Sequence, residues 1–566
     1  MRNRHFLFIL AAAILGHTPL FVFGITGHSM LTNALWWTGF YDSLASGSYL
    51  PRWILNANAG CGAPVFFFYP PFPYYLPSAF HWLAVGQVPL IMSYITVYTL
   101  AIAAFYGWAA RNWGPRAATF ATIVYMTSPY IFIDIYIRDA FTEFFTFLFL
   151  PLLLRFTEDI IEGRREAPYM FAVFYGLLIL STPHGTLVGS ALILGYALFL
   201  FWQKRSLQYF PAMALASTLG ISLVSFYIVP LVLKIGDVGL GSSDGAFGGW
   251  FSYANRFALN DIFIRATGGA LDPALSTAHE FDNRVFAFAA IPFLILSSLA
   301  VAQALRGKWM LGDRRALFWF WAAIASLFMM TPLSSPVLHI LPALKYLQFP
   351  WRFATVTTIA TAVVAAQVQI GSKSVNIRPQ FIFVVLALLL LLSAGMARQV
   401  KIENSSRQDA FDEQLKLGIA PPPNEYLPST ASRDWLLADG SLTAYEICSV
   451  KKVSLLTGKA NFIDVKEWRP GTIRATVDLA ETSTLLVGQF NFPGWVAEDG
   501  QGNAMATETT PEGLIAISLP RGQHDITLRL RASNPETYSA MVSVFSFMLC
   551  MLGLARSRKF RPAANS

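Results

Sequence analysis

The chain has 566 residues, of which 55% are hydrophobic, 15% aromatic and only 13% charged, whereas a soluble domain carries about a quarter charged residues. That excludes a water-soluble enzyme of this length and points to a polytopic membrane body with a polar remainder. The formal net charge of +8 raises nucleic acid as a partner, but basic residues in a membrane protein mostly mark cytoplasmic loops.

In chain order, Met1-Arg2-Asn3-Arg4 precedes an apolar stretch, Phe6 to Ile25, too long for a signal peptide and without a small-x-small cleavage site. It predicts a retained first transmembrane helix with a cytoplasmic N-terminus. A crossing needs roughly 20 apolar residues. Further candidates are 88–109, 117–133, 140–157, 168–184, 187–202, 209–233, 285–305, 316–331, 353–371, 380–397 and 538–555, twelve with the first. In this layout 19 Lys and Arg fall in loops assigned inside, among them Arg111, Arg116, Arg155, Arg164, Arg165, Lys308, Lys373 and Arg378. Only 8 fall in short loops outside: Arg52, Arg138, Lys234, Arg256, Arg265, Arg284, Lys345 and Arg352. A bias of this sign sets orientation. Both termini are expected in the cytoplasm, and nucleic acid drops out as a partner.

Residues 1–397 are thus read as the transmembrane body, with 27–86 as its first external loop, and 538–566 as a last helix with a basic tail. Between them, 398–537 reads as an extracytoplasmic β-domain. There Ile473, Ala475, Val477 and Leu479 alternate with Thr472, Arg474, Thr476 and Asp478. Ile526, Leu528 and Leu530 alternate with polar neighbours in the same way, the pattern of half-buried antiparallel strands. Turn signals at Pro493-Gly494, Asp499-Gly500 and Pro520-Arg521-Gly522 separate them, and a small β-sandwich is expected. Cys61, Cys448 and Cys550 lie far apart with no CxxC spacing, which predicts neither a zinc site nor a disulfide framework. The sequon Asn404-Ser405-Ser406 is a chance-level match.

Ionisable residues beside membrane spans are costly and are functional candidates by default. On the outer side these are His28, Asp42 and Arg52 in the first loop, then Asp134, Arg138, Asp139 and Glu143, then His184 and Arg352. On a helix Asp134 would pair with Arg138, and Asp139 with Thr142 or Glu143. Two readings stay open for this segment: a self-neutralising boundary cluster, or a carboxylate that deprotonates a hydroxyl while an Arg fork holds a phosphate. Arg52 and Arg352 each neighbour a Trp and a Pro, which suits interfacial anchoring or a shared anionic ligand. His184 fits a packing role as well as a ligand role. The run Val65-Phe-Phe-Phe68-Tyr69-Pro70-Pro71-Phe-Pro73-Tyr74-Tyr75 is expected to lie as an interfacial segment. No GxxxxGK[ST], GxGxxG, HExxH or GxSxG pattern occurs, so no nucleotide cofactor or metal is indicated.

Gly27-His28-Ser29, Trp36, Tyr49-Leu50-Pro51-Arg52-Trp53, Gly60-Cys61-Gly62-Ala63-Pro64 and Phe68-Tyr69-Pro70-Pro71 resemble a bacterial multi-pass family. That family carries the label 6-pyruvoyl-tetrahydropterin synthase-related membrane protein. The likeness continues through Asp134-Ile-Tyr136-Ile-Arg138 with Glu143, His184, Phe226-Tyr227-Ile-Val-Pro230 and Gln348-Phe-Pro-Trp-Arg352. Glu425-Tyr426-Leu-Pro428 and Phe492-Pro493-Gly494-Trp495 are similar to the outer domain of teichoic-acid-glycosylation membrane proteins. The family is similar in organisation to the GT-C glycosyltransferases. The resemblance implies a GT-C-like polytopic α-helical body that transfers a sugar from a polyprenyl-phosphate donor to an envelope glycan or lipid-linked acceptor. It implies Asp42, Glu143 and Asp139 as candidate carboxylates. Arg52, Arg138, Arg352, His28, His184 and Asp134 would contact substrate. The chain departs from the family where Gly-His-Asp becomes Gly27-His28-Ser29 and a frequent His becomes Asn33; a serine cannot act as a carboxylate base. The alternatives are a transporter or flippase of lipid-linked intermediates and a non-catalytic envelope-assembly protein.

Overall fold

The computed structural model describes residues 2–559 except 85, 206–207, 242–251, 267–274, 306–313, 372–378, 404–425 and 438–439. Arg306, Lys308, Lys373, Arg378, Arg561, the sequon at Asn404 and Glu425 lie outside the described residues.

Long apolar runs satisfy their backbone hydrogen bonds internally only as helices, and in lipid they have no other choice. Six described helices are long and apolar enough to cross a membrane: Val88–Met126, Pro183–Lys204, Thr277–Leu305, Pro350–Ile370, Val384–Lys401 and Asn534–Ser557. Two bent pairs raise this to eight, Phe210–Leu223 with Ser225–Asp237 at 66° and Arg314–Met329 with Pro332–Ile340 at 93°. The expected twelve crossings are not reached on these terms, for identifiable reasons. The first stretch breaks after Arg2–Gly16 and restarts as Pro19–Phe23. Ala167–Ile179 is only 13 residues long. Phe141–Ile161 carries Glu143, Arg155, Glu158 and Asp159. Two expected crossings merge into Val88–Met126, yet that run is not straight. Gly114 (φ 79°, ψ 162°) precedes Pro115 inside it, a left-handed residue and a missing N–H that together end one helix and start another. The rings of Phe105 and Tyr125 stack at 4.3 Å, whereas twenty residues of straight helix would hold them about 30 Å apart. The run is a hairpin.

The C-terminal part folds into two antiparallel sheets. One pairs β1 (Val453–Thr457) with β4 (Ser483–Phe490), then β8 (Leu514–Leu519) and β7 (Glu508–Thr509). The other runs β2 (Ala460–Arg469), β3 (Thr472–Leu479), β9 (Gly522–Leu530), β5 (Trp495–Glu498), β6 (Ala504–Met505). In β3 the residues Ile473, Ala475, Val477 and Leu479 are buried while Arg474 is exposed. They share one core with Leu485, Val487, Ile515 and Ile517 of the facing sheet.

The prediction of no disulfide is overturned. Cys61 and Cys448 are bonded across 387 residues of sequence, with Cα atoms 4.9 Å apart. Spacing motifs cannot reveal such a pair, because the two segments meet only through the fold. The junction is wide: Trp53 Nε1 donates to Gln489 Oε1 at 2.8 Å, and Phe490 N to the Cys61 carbonyl at 2.7 Å. Gly62 holds φ +83°, and a Cβ there would lie 2.4 Å from Trp53 Nε1.

The aromatic run after Ala63 is likewise a correction. It forms two short helices, Val65–Phe68 and Phe72–Phe80, and Val65 to Phe68 are all buried. Phe66 meets Phe40, Phe67 meets Phe492, and Phe68 stacks near Tyr426. The segment is a wedge between helices and β-domain. Burying each such ring contributes about 1.5–3 kcal/mol, which an interfacial position would forgo.

Candidate active site at the helix ends

Four charged side chains converge where the Ile133–Arg138 π-helical turn meets the Phe141–Ile161 helix. Arg138 lies 2.5 Å from Asp134 Oδ1, the expected i,i+4 pair, and its Nη2 donates to Glu143 Oε2 at 2.9 Å. Arg352, 209 residues further on, donates through Nε to the same Glu143 oxygen at 2.9 Å. Tyr130 donates to Glu143 Oε1 at 2.8 Å. The guanidinium of Arg352 also bonds the Leu347 carbonyl and Gln348 Oε1. His184, at the start of the Pro183–Lys204 helix, feels the charges of Arg352, Glu143 and Arg138. Two arginines and two carboxyls thus face one another, almost fully desolvated, with side-chain exposures of 13% or less, and burial together with the Glu143 charge pushes the Asp134 pKa up to about 8. Buried charges of this kind require partners. Trp351 stacks on Phe349 at 4.2 Å and lies 5.6 Å from Arg138 and 4.7 Å from Arg256. Arg256 is itself locked on Asp282 by two hydrogen bonds of 2.9 and 2.8 Å.

Asp139 stands apart from this tetrad, against expectation. Its left-handed backbone (φ 52°, ψ 50°) ends the π-helical turn. Its side chain therefore does not pair with Thr142, which bonds Tyr69 instead at 3.0 Å, or with Glu143. Oδ1 accepts from Tyr94 at 2.6 Å and Oδ2 from Asn33 Nδ2 at 3.0 Å, while Tyr74 donates to Asn33 Oδ1 at 3.1 Å. The carboxyl is buried outside the crossing segments, and burial pushes its pKa up to about 7 against the pull of the Tyr94 and Asn33 hydrogen bonds. The loop that carries Ser29 packs on this turn: His28 N donates to the Ile137 carbonyl and Ser29 N to the Arg138 carbonyl, each at 2.9 Å. The carboxylate missing at position 29 has a neighbour one residue beyond that bond.

Arg52 does not share partners with Arg352. Its Nη2 donates to the Phe226 carbonyl at 2.7 Å, its guanidinium lies 5.0 Å from the Phe67 ring, and its buried Nη1 has no partner among the described residues. Lys234 faces the same ring at 5.4 Å and reaches the Pro493 carbonyl at 2.8 Å and Glu536 at 4.0 Å. Here two cations meet one carboxylate, which itself accepts from Ser533. Trp53 and Trp351 are buried, which sets aside interfacial anchoring for both Trp-Arg pairs. Asp42 is exposed near the end of the Met30–Ala45 helix, close to His81. It joins none of these groups by any described contact. Among the described residues no three His, Cys, Asp or Glu side chains gather to hold a metal ion.

Sequence reasoning passed over Lys234, Arg256 and Asp282, and it treated Asn33 only as a departure. Lys234 and Arg256 were visible as basic residues outside the positive-inside pattern, but a loop count cannot say which of them turns inward.

Residues 66–402 match the profile of a family described as 6-pyruvoyl-tetrahydropterin synthase related domain, membrane protein. No curated protein matches the chain. Among solved structures, an Archaeoglobus fulgidus oligosaccharyltransferase tethered to an acceptor peptide with the NVT sequon is similar at 14% identity and a TM-score of 0.37. The match covers 75% of this chain but only 60% of that one. ArnT from Cupriavidus metallidurans, bound to undecaprenyl phosphate, is similar at 13% identity and a TM-score of 0.32, over 72% of this chain and 90% of that one.

Proposed function

The chain belongs to the 6-pyruvoyl-tetrahydropterin synthase related family of membrane proteins, and on that premise we propose that it is a GT-C-like membrane glycosyltransferase. It moves a sugar from a polyprenyl-phosphate donor to an envelope glycan or lipid-linked acceptor outside the bacterial inner membrane. The observation that carries this reading is Asp139, a buried carboxyl with a pKa near 7 set where the first external loop meets the outer helix ends. A general base works best with a pKa near the operating pH.

In the step proposed, Asp139 takes the proton of the acceptor hydroxyl, whose oxygen bonds the anomeric carbon as the carbon–phosphate oxygen bond breaks. The polyprenyl phosphate leaves with the bonding electrons. Arg52 and Lys234, which carry the uncompensated positive charge, receive that phosphate. An arginine fork suits it through paired hydrogen bonds. Arg138 and Arg352 hold Glu143 and frame the site, His184 and Asp134 border it, and His28 anchors the loop through its backbone. The outside location is supported by the Cys61–Cys448 bond, since disulfides persist in oxidising compartments. It ties the first loop to the β-domain on one side.

The test is transfer of radiolabelled sugar from polyprenyl-phosphate donors in membranes carrying wild type, Asp139→Asn, Arg52→Gln or Asp42→Asn. Asp139→Asn and Arg52→Gln are expected to lose transfer and Asp42→Asn to keep it. Undiminished transfer by Asp139→Asn would remove the proposed base.

A further inference from the structure

The opposite end of the helical body holds a second set of charges. Asp159 pairs with Arg111 and with Arg164, and Glu162 with the same two arginines. Glu158 accepts from Trp108, Asn112 and Tyr196. This accounts for the carboxylates near the end of the Phe141–Ile161 helix. Arg155 has no ion pair or hydrogen bond among the described residues, and its Nε is buried without a partner.

Arg155 lines a cavity of about 330 Å³ between the end of that helix, the start of Ala167–Ile179 and the end of Asn534–Lys559. Phe156, Met170 and Leu554 form its apolar wall, while Arg164 and Ser557 stand at its polar side with Asp159 and Glu166. Asn534–Lys559 leaves the β-domain at its first residue, and Leu554 is twenty residues on, about 30 Å along a helix. The cavity therefore lies one bilayer thickness from the β-domain, at headgroup depth. Above it, three and seven residues before Leu554 on the same helix face, Met551 and Phe547 are exposed, an apolar stripe that acyl chains can follow. Just past it the sequence runs Arg556-Ser557-Arg558-Lys559-Phe560-Arg561, a basic cluster at the end of a crossing helix of the kind that attracts lipid phosphates.

We infer that this cavity is a phospholipid site: the phosphodiester of a membrane glycerophospholipid docks on the Arg155 guanidinium, with its acyl chains against the exposed face of the last helix. The lipid supplies the counter-charge that the protein withholds from Arg155, and the apolar wall takes the glycerol backbone. A free phosphate satisfies the guanidinium alone and leaves that wall and stripe unused. Asp159 does not repel the ligand, because Arg111 and Arg164 already neutralise it.

The experiment uses the full chain reconstituted in phosphatidylcholine nanodiscs doped with phosphatidylglycerol, with lipids retained after detergent release counted by native mass spectrometry. Wild type should retain one phosphatidylglycerol. Arg155→Gln should lower its occupancy about tenfold, the loss of a charge-assisted pair. Leu554→Trp fills the cavity with the charge left in place and should lower it as well, which separates the site from any general effect of the substitution on folding. Arg155→Lys should restore part of the binding. Equal retention by wild type and Arg155→Gln overturns the proposal. So does displacement of the lipid by millimolar inorganic phosphate, which would make the site one for a free anion.

Discussion

Replacing Asp139 by Asn tests the chemistry most directly, and its effect can be worked from the environment of the carboxyl. Folding raises the pKa of this group from 3.8 to about 7, a penalty of about 4 kcal/mol on the ionised form. A carboxyl whose folded pKa is raised contributes stability that is fully present below pH 3.8 and is lost as pH climbs to about 7. The wild-type protein in detergent should therefore lose thermal stability between pH 4 and 7 and level off above. Catalysis runs the other way, because only the ionised group is a base. Transfer should rise with pH through about 7 and then flatten. Asn keeps the size and one acceptor for Tyr94 but cannot take a proton, so Asp139→Asn should lower the rate by about 10²–10⁴-fold and abolish the stability slope. The assay is sugar transfer in membranes from pH 5.5 to 8.5, alongside thermal unfolding of the purified protein over the wider range. A variant that transfers within threefold of wild type at every pH, or a wild type whose rate ignores pH between 6 and 8, refutes the assignment of Asp139.

Arg352→Gln leaves Glu143 with one arginine and an uncompensated share of buried charge, and it should cost about 3–5 kcal/mol, read as a fall in Tm; a variant as stable as wild type means that Glu143 is not held as described. Cys61→Ser removes the tie between the first loop and the β-domain and should cost about 2–5 kcal/mol, while alkylation without reductant should label at most Cys550 in wild type; ready labelling of Cys61 speaks against the bond. Gly27→Ala would place a Cβ 2.8 Å from the Asp139 amide and 3.1 Å from the Ile137 carbonyl, so the loop must move by several tenths of an ångström at a cost of about 1–3 kcal/mol. Its transfer rate should fall although no reacting group is lost; full activity would show that the loop does not position Asp139.

What the sequence made visible follows from which signals are local. The alternation along Thr472–Leu479 and Gly522–Leu530 needs no partner to be read, because a strand with one buried face states its own period. The pairing of Asp134 with Arg138 is also local, four residues apart on one turn. Everything that distinguishes the three charge groups at this end of the helices is not. Arg352 meets Glu143 over 209 residues, and Cys61 meets Cys448 over 387. Arg52 and Arg352 have nearly the same neighbours in sequence, yet one faces Phe226 and Phe67 and the other faces Glu143. A shared local context thus predicts a shared backbone shape but not a shared partner. Asp139 makes the same point from the other side. It sits next to Arg138 in sequence, but a single left-handed residue turns its side chain out of the tetrad and into the company of Asn33 and Tyr94. That turn separates a carboxyl pinned between two arginines from one free to titrate near neutral pH. The serine at position 29 therefore does not leave this corner of the fold without a carboxyl: Asp139 stands one residue beyond the hydrogen bond from Ser29 N to the Arg138 carbonyl.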